Sequence, residues 1–300
     1  MKQDFPGLGV GLLCRLFGKT RHAYYDALWR KERSVVKEDI IVQEVANIRK
    51  QLPRLGTRKL HYLLDNKLLS HDITIGRDYL FGLLSDHNLL VRQRKRKALT
   101  TNSRHWMKKY GNLVKDLDIT RPEQVWVSDI TYIRMVNQWG YLSLITDAYS
   151  RRIMGYSFRM DLTAQGCIDA LRMALNNRKY QEPMIHHSDR GSQYCSHQYV
   201  AMLLKNRTAI SMTENGDPYE NAIAERINGI IKTEFNLHAS ILGFEKTQKY
   251  ISESIANYNS FRPHASCDYL TPDQAHLQSE KLNKRWKNYN RYFEHEKTTV

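Results

Sequence analysis

The sequence predicts an α/β protein: a mixed five-stranded sheet with flanking helices, preceded by an all-α segment. Two observations set this class. The hydrophobic period is helical in the N-terminal third and becomes strand-like at Gln124. From there, three β-rich runs joined by short turns lead into helices that alternate with two short strands. Charge follows the same division. Residues 1–110 hold 23 Lys and Arg against 10 Asp and Glu, whereas residues 111–300 hold 23 against 21. Most of the +15 net charge therefore sits on the helical part, as in a polyanion-binding module joined to a near-neutral one.

The helical part is read in order. Residues 8–30 give two short helices broken at Gly18, with Val10, Leu13, Leu16 and Phe17 before the break and Ala23, Tyr24, Leu28 and Trp29 after it. Lys19 and Arg21 open the second helix, the layout of a helix-turn-helix segment over 1–33. A second helical DNA-binding domain spans 34–99. Its first helix carries Val36, Ile40, Ile41, Val45 and Ile48; Thr57 caps the next, which bears Arg58 and Lys59; a third lies near Gly76–Asn88. Arg92, Arg94, Lys95, Arg96 and Lys97 then place five cations in six residues, a solvated run suited to phosphate contact. Residues 100–122 form a basic linker.

The second part, 123–280, starts with VWVSDITYIRM, WGYLSLITDA and IMGYSFRM, an antiparallel meander turning at Val136–Gln138 and Tyr149–Arg151. A helix over Thr163–Asn177, the strand MIHHSD, a helix over Ser196–Asn206 and the strand Ala209–Met212 follow. Helices at Pro218–Phe235 and Phe244–Asn259 and a basic, aromatic tail over 281–300 complete the chain. This element order is the layout of the ribonuclease-H-like fold. Cys14, Cys167, Cys195 and Cys267 form no paired motif, so a zinc ribbon or disulfide framework is not expected and free thiols suit a reducing cytoplasm. The apolar stretch Gly7–Phe17 contains Arg15 and is too short to span a bilayer, so no membrane partner is expected.

Three carboxylates carry the chemistry. Asp129 lies inside an apolar strand, where an ionised group is costly unless paired or metal-bound; the structural alternative is an aspartate hydrogen-bonded to Thr131 or a nearby backbone group. Asp189 ends a strand just before Gly191, where ligands collect in open α/β sheets; the alternative is a turn aspartate. Glu225 falls about two turns into a helix with Asp217 as cap, Pro218 at its first position and Glu220 completing a capping box; the alternative is an exposed glutamate paired to Arg226. Asn221, Glu225 and Lys232 share one helix face. Together the acids suit two divalent ions roughly 4 Å apart, the site of in-line phosphoryl transfer with no covalent protein nucleophile. Asp147, beside Arg151 and Arg152, reads as a turn or ion-pair residue, and His186 and His187 as core or supporting residues.

VWVSDITYI, YLSLITDAYSRRIMGYS, HHSDRGSQY, ENGDPYENAIAERINGIIKTE and YNSFRPHASCDYLTP resemble the integrase core of insertion-sequence three family transposases, over roughly residues 124–275. LGTRKLHYLL and LLSDHNLL are similar to the same family's helix-turn-helix segments. One departure is Glu220-Asn221-Ala222 where the family usually carries Asp-Asn-Ala. The resemblance implies a DNA transposase that cleaves 3′ ends and transfers strands. Asp129, Asp189 and Glu225 would be its catalytic metal ligands, with two Mg2+ ions per site that Mn2+ can replace. It also implies Asn221, Lys232 and Tyr194 near the DNA end, and Arg262 as a DNA contact within the signature of Tyr258, Asn259, Arg262, Pro263 and His264. Implied partners are the element's terminal inverted repeats, target DNA, further copies of the chain on DNA and an upstream-frame protein, in a bacterial cytoplasm at the nucleoid. A hydrolytic nuclease of this fold and a non-catalytic DNA-binding repressor are the competing functions.

Overall fold

A computed structural model describes residues 5–91, 106–136, 138–214, 221–237 and 243–283. The Arg92–Lys97 cations, the expected capping residues Asp217, Pro218 and Glu220, and the tail from residue 284 lie outside the described residues. The chain divides into two compact units, Met1–Lys50 with Leu55–Gln93, and Gln51–Arg54 with Arg94–Val300.

The first unit is helical. Helix α1 (Val10–Leu16) ends at Gly18, whose φ of +62° is the left-handed turn the sequence requires there. Helix α2 (Arg21–Gln51) then runs for 31 residues without interruption, straight through the boundary expected at residue 33. No glycine or proline occurs between Gly18 and Pro53, so nothing in the chain breaks it. The two N-terminal segments are therefore joined by one continuous helix. Helices α3 (Thr57–Leu69) and α4 (Arg77–Asp86) pack on each other and are bonded to α2 by Lys67–Glu44 at 3.1 Å and Tyr79–Glu38 at 3.3 Å; Ile41, Val45, Leu60, Leu64, Leu80 and Leu84 of the three helices are buried. Gly56 and Gly76 occupy the N-cap positions; Thr57, expected as a cap, is instead the first helical residue and is buried. Much of the apolar stripe read over residues 8–30 is exposed, including Leu16, Phe17 and Trp29.

The second unit is the mixed sheet. Strands β1 (Val125–Met135), β2 (Gln138–Asp147) and β3 (Ile153–Arg159) form an antiparallel meander. Strands β4 (Met184–Ser188) and β5 (Thr208–Met212) add in parallel on the other side of β1, giving the order β3-β2-β1-β4-β5. This is the ribonuclease-H-like arrangement. Helix α5 (Ala164–Asn176) covers β2 and β3, and α6 (His197–Lys205) connects β4 to β5. Helices α7 (Ala222–Glu234), α8 (Phe244–Phe261) and the single turn α9 (Pro272–Ala275) follow.

Because β1 is central, it buries side chains on both faces. Trp126 joins Ile145, Met154, Leu171, Tyr199 and Leu203 in the core under α5 and α6. Val125 and Val127 point the other way, into a cluster with Ala148 and with Ala224 of α7. α5 lies so close on β3 that a Cβ on Gly155 would fall 2.2 Å from the Ala170 carbonyl oxygen. Among the described residues no helix is long and apolar enough to cross a membrane.

Candidate active site

Asp129 and Asp189 are brought together by strand register. In the parallel pair β1–β4, Val127 stands opposite His187. Two residues further along each chain lie Asp129 and Asp189, on the same face because side chains alternate with a period of two. Asp189 is the first residue past the end of β4. Gly191 donates its N–H to Asp189 Oδ1 at 3.0 Å, and a Cβ on that glycine would sit 3.0 Å from the same oxygen. The glycine thus lets the backbone fold tightly onto the carboxylate.

Asp129 accepts two hydrogen bonds: Ile130 N–H to Oδ1 at 2.8 Å and Asn228 Nδ2 to Oδ2 at 2.8 Å. The group keeps some solvent exposure, yet burial pushes its pKa up from 3.8 to about 7, with the charge of Asp189 and then Glu225 adding to the rise. The bonds from Asn228 and Ile130 work against that rise without cancelling it. Asp129 therefore senses both other acids, which is the electrostatic signature of carboxylates sharing a site.

Glu225 is delivered by α7. The helix begins at Ala222 with Asn221 as N-cap, so Glu225 lies in the first turn rather than two turns in, where its charge complements the helix dipole. Asn221 makes no side-chain cap bond; its Nδ2 donates instead to the Ser128 carbonyl of β1 at 3.0 Å. Asn221 and Asn228 precede and follow Glu225 by four and three residues, so all three share one helix face. Both asparagines are buried and touch β1, while Glu225 is exposed. Lys232 continues that face; it is half-buried, and burial lowers its pKa while the Asp129 charge opposes the change. Among the described residues, no three His, Cys, Asp or Glu side chains are grouped closely enough to hold a metal ion as they stand. The acids are coupled through Asp129 without forming a closed ligand set.

Other residues singled out from the sequence fall elsewhere. Lys19, Arg21 and Arg58 are exposed and Lys59 is half-buried, all on the first unit. Tyr194, expected at a DNA end, is in the core, with its ring 5.5 Å from Tyr199 and 6.3 Å from His186. Arg262, expected as a DNA contact, is only 1% exposed; it makes a bidentate bond to Glu234 at 2.7 Å and meets His264 Nε2 at 2.7 Å. The causes differ: the Tyr194 ring fills the core, whereas the Arg262 guanidinium is held inside by the Glu234 carboxylate. The neighbouring Asn259 grips the backbone of β3, accepting from Ile153 N–H and donating to Ile153 O, each at 3.0 Å. Tyr258 donates its hydroxyl to Arg151 O at 2.8 Å. The signature these residues form is therefore a packing device.

His186 is fully buried against the Ser128 and Tyr199 hydroxyls, and burial brings its pKa down to about 3, so it is a neutral core residue. His187 meets Ser211 Oγ at 2.8 Å. Asp147 is buried and accepts from Glu123 N–H and from both the N–H and hydroxyl of Ser150. Asp147 is thus the turn residue the sequence suggested: its backbone accepts from Arg151 N–H and donates to Arg152 O, while its carboxylate meets Glu123, Ser150 and His276 rather than an arginine side chain. Sequence reasoning missed Asn228. The available signal was an amide three residues after Glu225, interrupting the apolar run of Ala224, Ile227, Ile230 and Ile231.

Comparison with known proteins supplies the family. The Integrase core domain family matches residues 119–218, and a second Integrase core domain family matches 206–272. The insertion element IS600 uncharacterized 31 kDa protein of Shigella sonnei is 32% identical over 265 residues, covering 87% of this chain and 96% of that one. Transposase InsF for insertion sequence IS3A of Escherichia coli (strain K12) is 37% identical over 163 residues, 54% of this chain and 57% of its own length. The chain belongs to the insertion-sequence three family of transposases. Enzymes of this family are polynucleotidyl transferases, and this transposase carries their integrase core. Among solved structures, the HTLV-2 integrase catalytic core domain in complex with magnesium (trimeric form) is 20% identical, with a TM-score of 0.43 over 52% of this transposase and 97% of that chain. A simian T-cell lymphotropic virus intasome is 22% identical, with a TM-score of 0.47 over 74% of this chain and 75% of that one.

Proposed function

We propose that this transposase cleaves the 3′ ends of its element and joins them to target DNA at a site built from Asp129, Asp189 and Glu225. The observation that carries the proposal is the β1–β4 register that sets Asp129 beside Asp189, with the Glu225 helix bonded to Asp129 through Asn228; the raised pKa of Asp129, from burial and then the charges of Asp189 and Glu225, accords with it. Carboxylate oxygens converging from a strand, a strand end and a helix are the donor chemistry of hard divalent cations, and a cation would relieve the repulsion that lifts Asp129. By oxygen chemistry the three acids suit two Mg2+ ions, with Mn2+ as a substitute, although as they stand they form no closed ligand set. Such ions, when bound, supply charge neutralisation at the scissile phosphate and activation of a hydroxyl or water.

The chain's own residues do the remainder. Asp129 and Asp189 present oxygens from adjacent strands of a stiff sheet, and Glu225 adds one from a first helical turn. Lys232, on the Glu225 face, is placed to pair with a phosphate oxygen. Lys19, Arg21, Arg58, Lys59 and the Arg92–Lys97 run supply the sequence-independent hold on duplex DNA. The DNA partners are the element's terminal inverted repeats and a target duplex. One site per chain and two ends per element require more than one copy on DNA, with an upstream-frame protein as fusion or partner.

The test is joining of a labelled, pre-cut element end to target DNA, with Mg2+ added or chelated. Asp129→Asn, Asp189→Asn and Glu225→Gln should each abolish cleavage and joining while leaving DNA binding intact. Joining by any of the three variants rules out the site. Cleavage without joining would leave a hydrolytic nuclease, and metal-independent binding with neither reaction a repressor.

A further inference from the structure

The proposed site depends on a helix being held against a strand at one rotation and one register, and the apolar contacts between α7 and β1 do not fix either. Val125, Val127, Ala148 and Ala224 cluster there through non-directional burial, which tolerates sliding and small rotations. Two directional bonds remain. Asn221 Nδ2 donates to the Ser128 carbonyl at 3.0 Å, and Asn228 Nδ2 donates to Asp129 Oδ2 at 2.8 Å. Their acceptors belong to consecutive residues of β1, and the asparagines are seven residues apart, about 10 Å along the axis. Glu225 lies between them on the same helix face.

The two amides are poor core residues. Asn221 is 6% and Asn228 4% exposed, and the Oδ1 atom of each is buried without a hydrogen-bond partner. An apolar side chain of similar size would bury no unmet amide oxygen, at the cost of the one bond that each Nδ2 donates. Stability alone therefore does not account for either, and what each contributes is a bond with a direction.

We infer that Asn221 and Asn228 form a clasp that sets the rotation and register of α7 on β1, and so the position of Glu225 relative to Asp129. Both are positioning residues with no part in touching substrate. Asn228 acts twice, because its bond to Oδ2 and the Ile130 N–H bond to Oδ1 together fix the Asp129 carboxylate plane while leaving each oxygen lone-pair capacity. The inference rests on the three-acid reading of the site, and the experiment below separates the two.

Full-length protein is compared as wild type, Asn228→Ala, Asn228→Ser, Asn228→Asp and Asn221→Ala. Three quantities are measured: joining of the pre-cut end across a Mg2+ series, Mg2+ binding without DNA by calorimetry, and the melting temperature in chelator. Asn228→Ala should need roughly 10–100-fold more Mg2+ for half-saturation and join correspondingly more slowly, with unchanged affinity for element-end DNA. Asn228→Ser, a shorter donor, should recover part of the loss. Asn228→Asp, isosteric but unable to donate, should recover none. Asn221→Ala should lower joining in the same direction. The clasp is overturned if folded Asn228→Ala matches wild type in joining and Mg2+ dependence, or if Asn228→Asp does. Failure of both Asn228→Ala and Asn228→Ser to fold would make Asn228 a core residue and overturn it equally. Joining by Asp129→Asn or Glu225→Gln would instead remove the parent reading, whatever the asparagine variants do.

Discussion

Replacing Asp129 by Asn should stabilise the metal-free protein at neutral and alkaline pH, and the size of the effect follows from the site. Asp129 titrates at about 7 in the folded chain against 3.8 for an ordinary aspartate. A difference of roughly 3 pKa units corresponds to about 4 kcal/mol. The sign is set by which state holds the proton. Between about pH 4 and pH 7 the native state keeps a proton that the unfolded chain has released, so stability falls as pH rises across that window and the full penalty is present above it. Asparagine carries no charge to bury. It still accepts through one oxygen but turns an NH2 toward the other donor, a loss of about 1 kcal/mol. The net expectation is a gain of about 3 kcal/mol near pH 8 in chelator, shrinking to nothing or a slight loss near pH 4. Mg2+ at about 1,000 times its Kd should reverse the order, because it adds about 4.1 kcal/mol to the wild type alone. Hydrogen exchange in the peptide spanning β1, followed against urea, reads the sheet unit separately from the helical one. An Asp129→Asn chain no more stable than wild type near pH 8 in chelator would mean that neither burial nor the neighbouring acids burden the Asp129 charge, and the site would lose its basis.

Gly155→Ala should cost about 3 kcal/mol or more, because its Cβ would lie 2.2 Å from the Ala170 oxygen and 2.6 Å from the Ala174 nitrogen, both backbone atoms of α5; urea denaturation checks this. Arg262→Ala should destabilise by roughly 3–5 kcal/mol by stranding the Glu234 carboxylate. The double change Arg262→Met with Glu234→Leu should restore most of that, and DNA affinity of the folded double variant should equal wild type if Arg262 makes no phosphate contact. His276, buried between Asp147 and Glu123, is pushed down by burial, but its bonds to the two carboxylates outweigh this and its pKa is raised. Its contribution should be complete below about pH 6.5 and fade as pH rises through the folded value. In His276→Asn that part of the melting-temperature profile should flatten.

The sheet was legible because its signals are local. The change of period at Gln124 marks where side chains begin to alternate, and the apolar neighbours on both sides of Asp129 mark a central strand. What escaped depends on contacts distant in sequence. Arg262 finds Glu234 on another helix 28 residues away, and nothing local tells an arginine that pairs inside from one that binds phosphate. Tyr194 reads as a stacking residue until Tyr199 and His186 are seen around it. The unbroken α2 is a different case. The sequence has no glycine or proline from 19 to 51, but the apolar stripes of Ala23–Trp29 and Val36–Ile48 read as two helices rather than one.

Asp129 and Asp147 show why position alone could not have found the site. They lie on neighbouring central strands, Asp147 opposite Trp126 and Asp129 opposite Leu144, and both are carboxylates in an apolar sheet. Asp147 accepts three hydrogen bonds from Glu123 and Ser150 and has His276 Nδ1 at 3.4 Å. Its charge is met by donors from within the fold, and it braces the end of β2. Asp129 accepts two bonds and faces two further acids, so its charge is met only in part. A folded chain keeps an under-compensated carboxylate when something outside the chain completes it. The ratio of donors to like charges, rather than burial or strand position, is therefore what separates a bracing aspartate from a reactive one in this sheet. Asn228 supplies one of the two donors at Asp129, which ties the helix bearing Glu225 to the strand whose charge it shares.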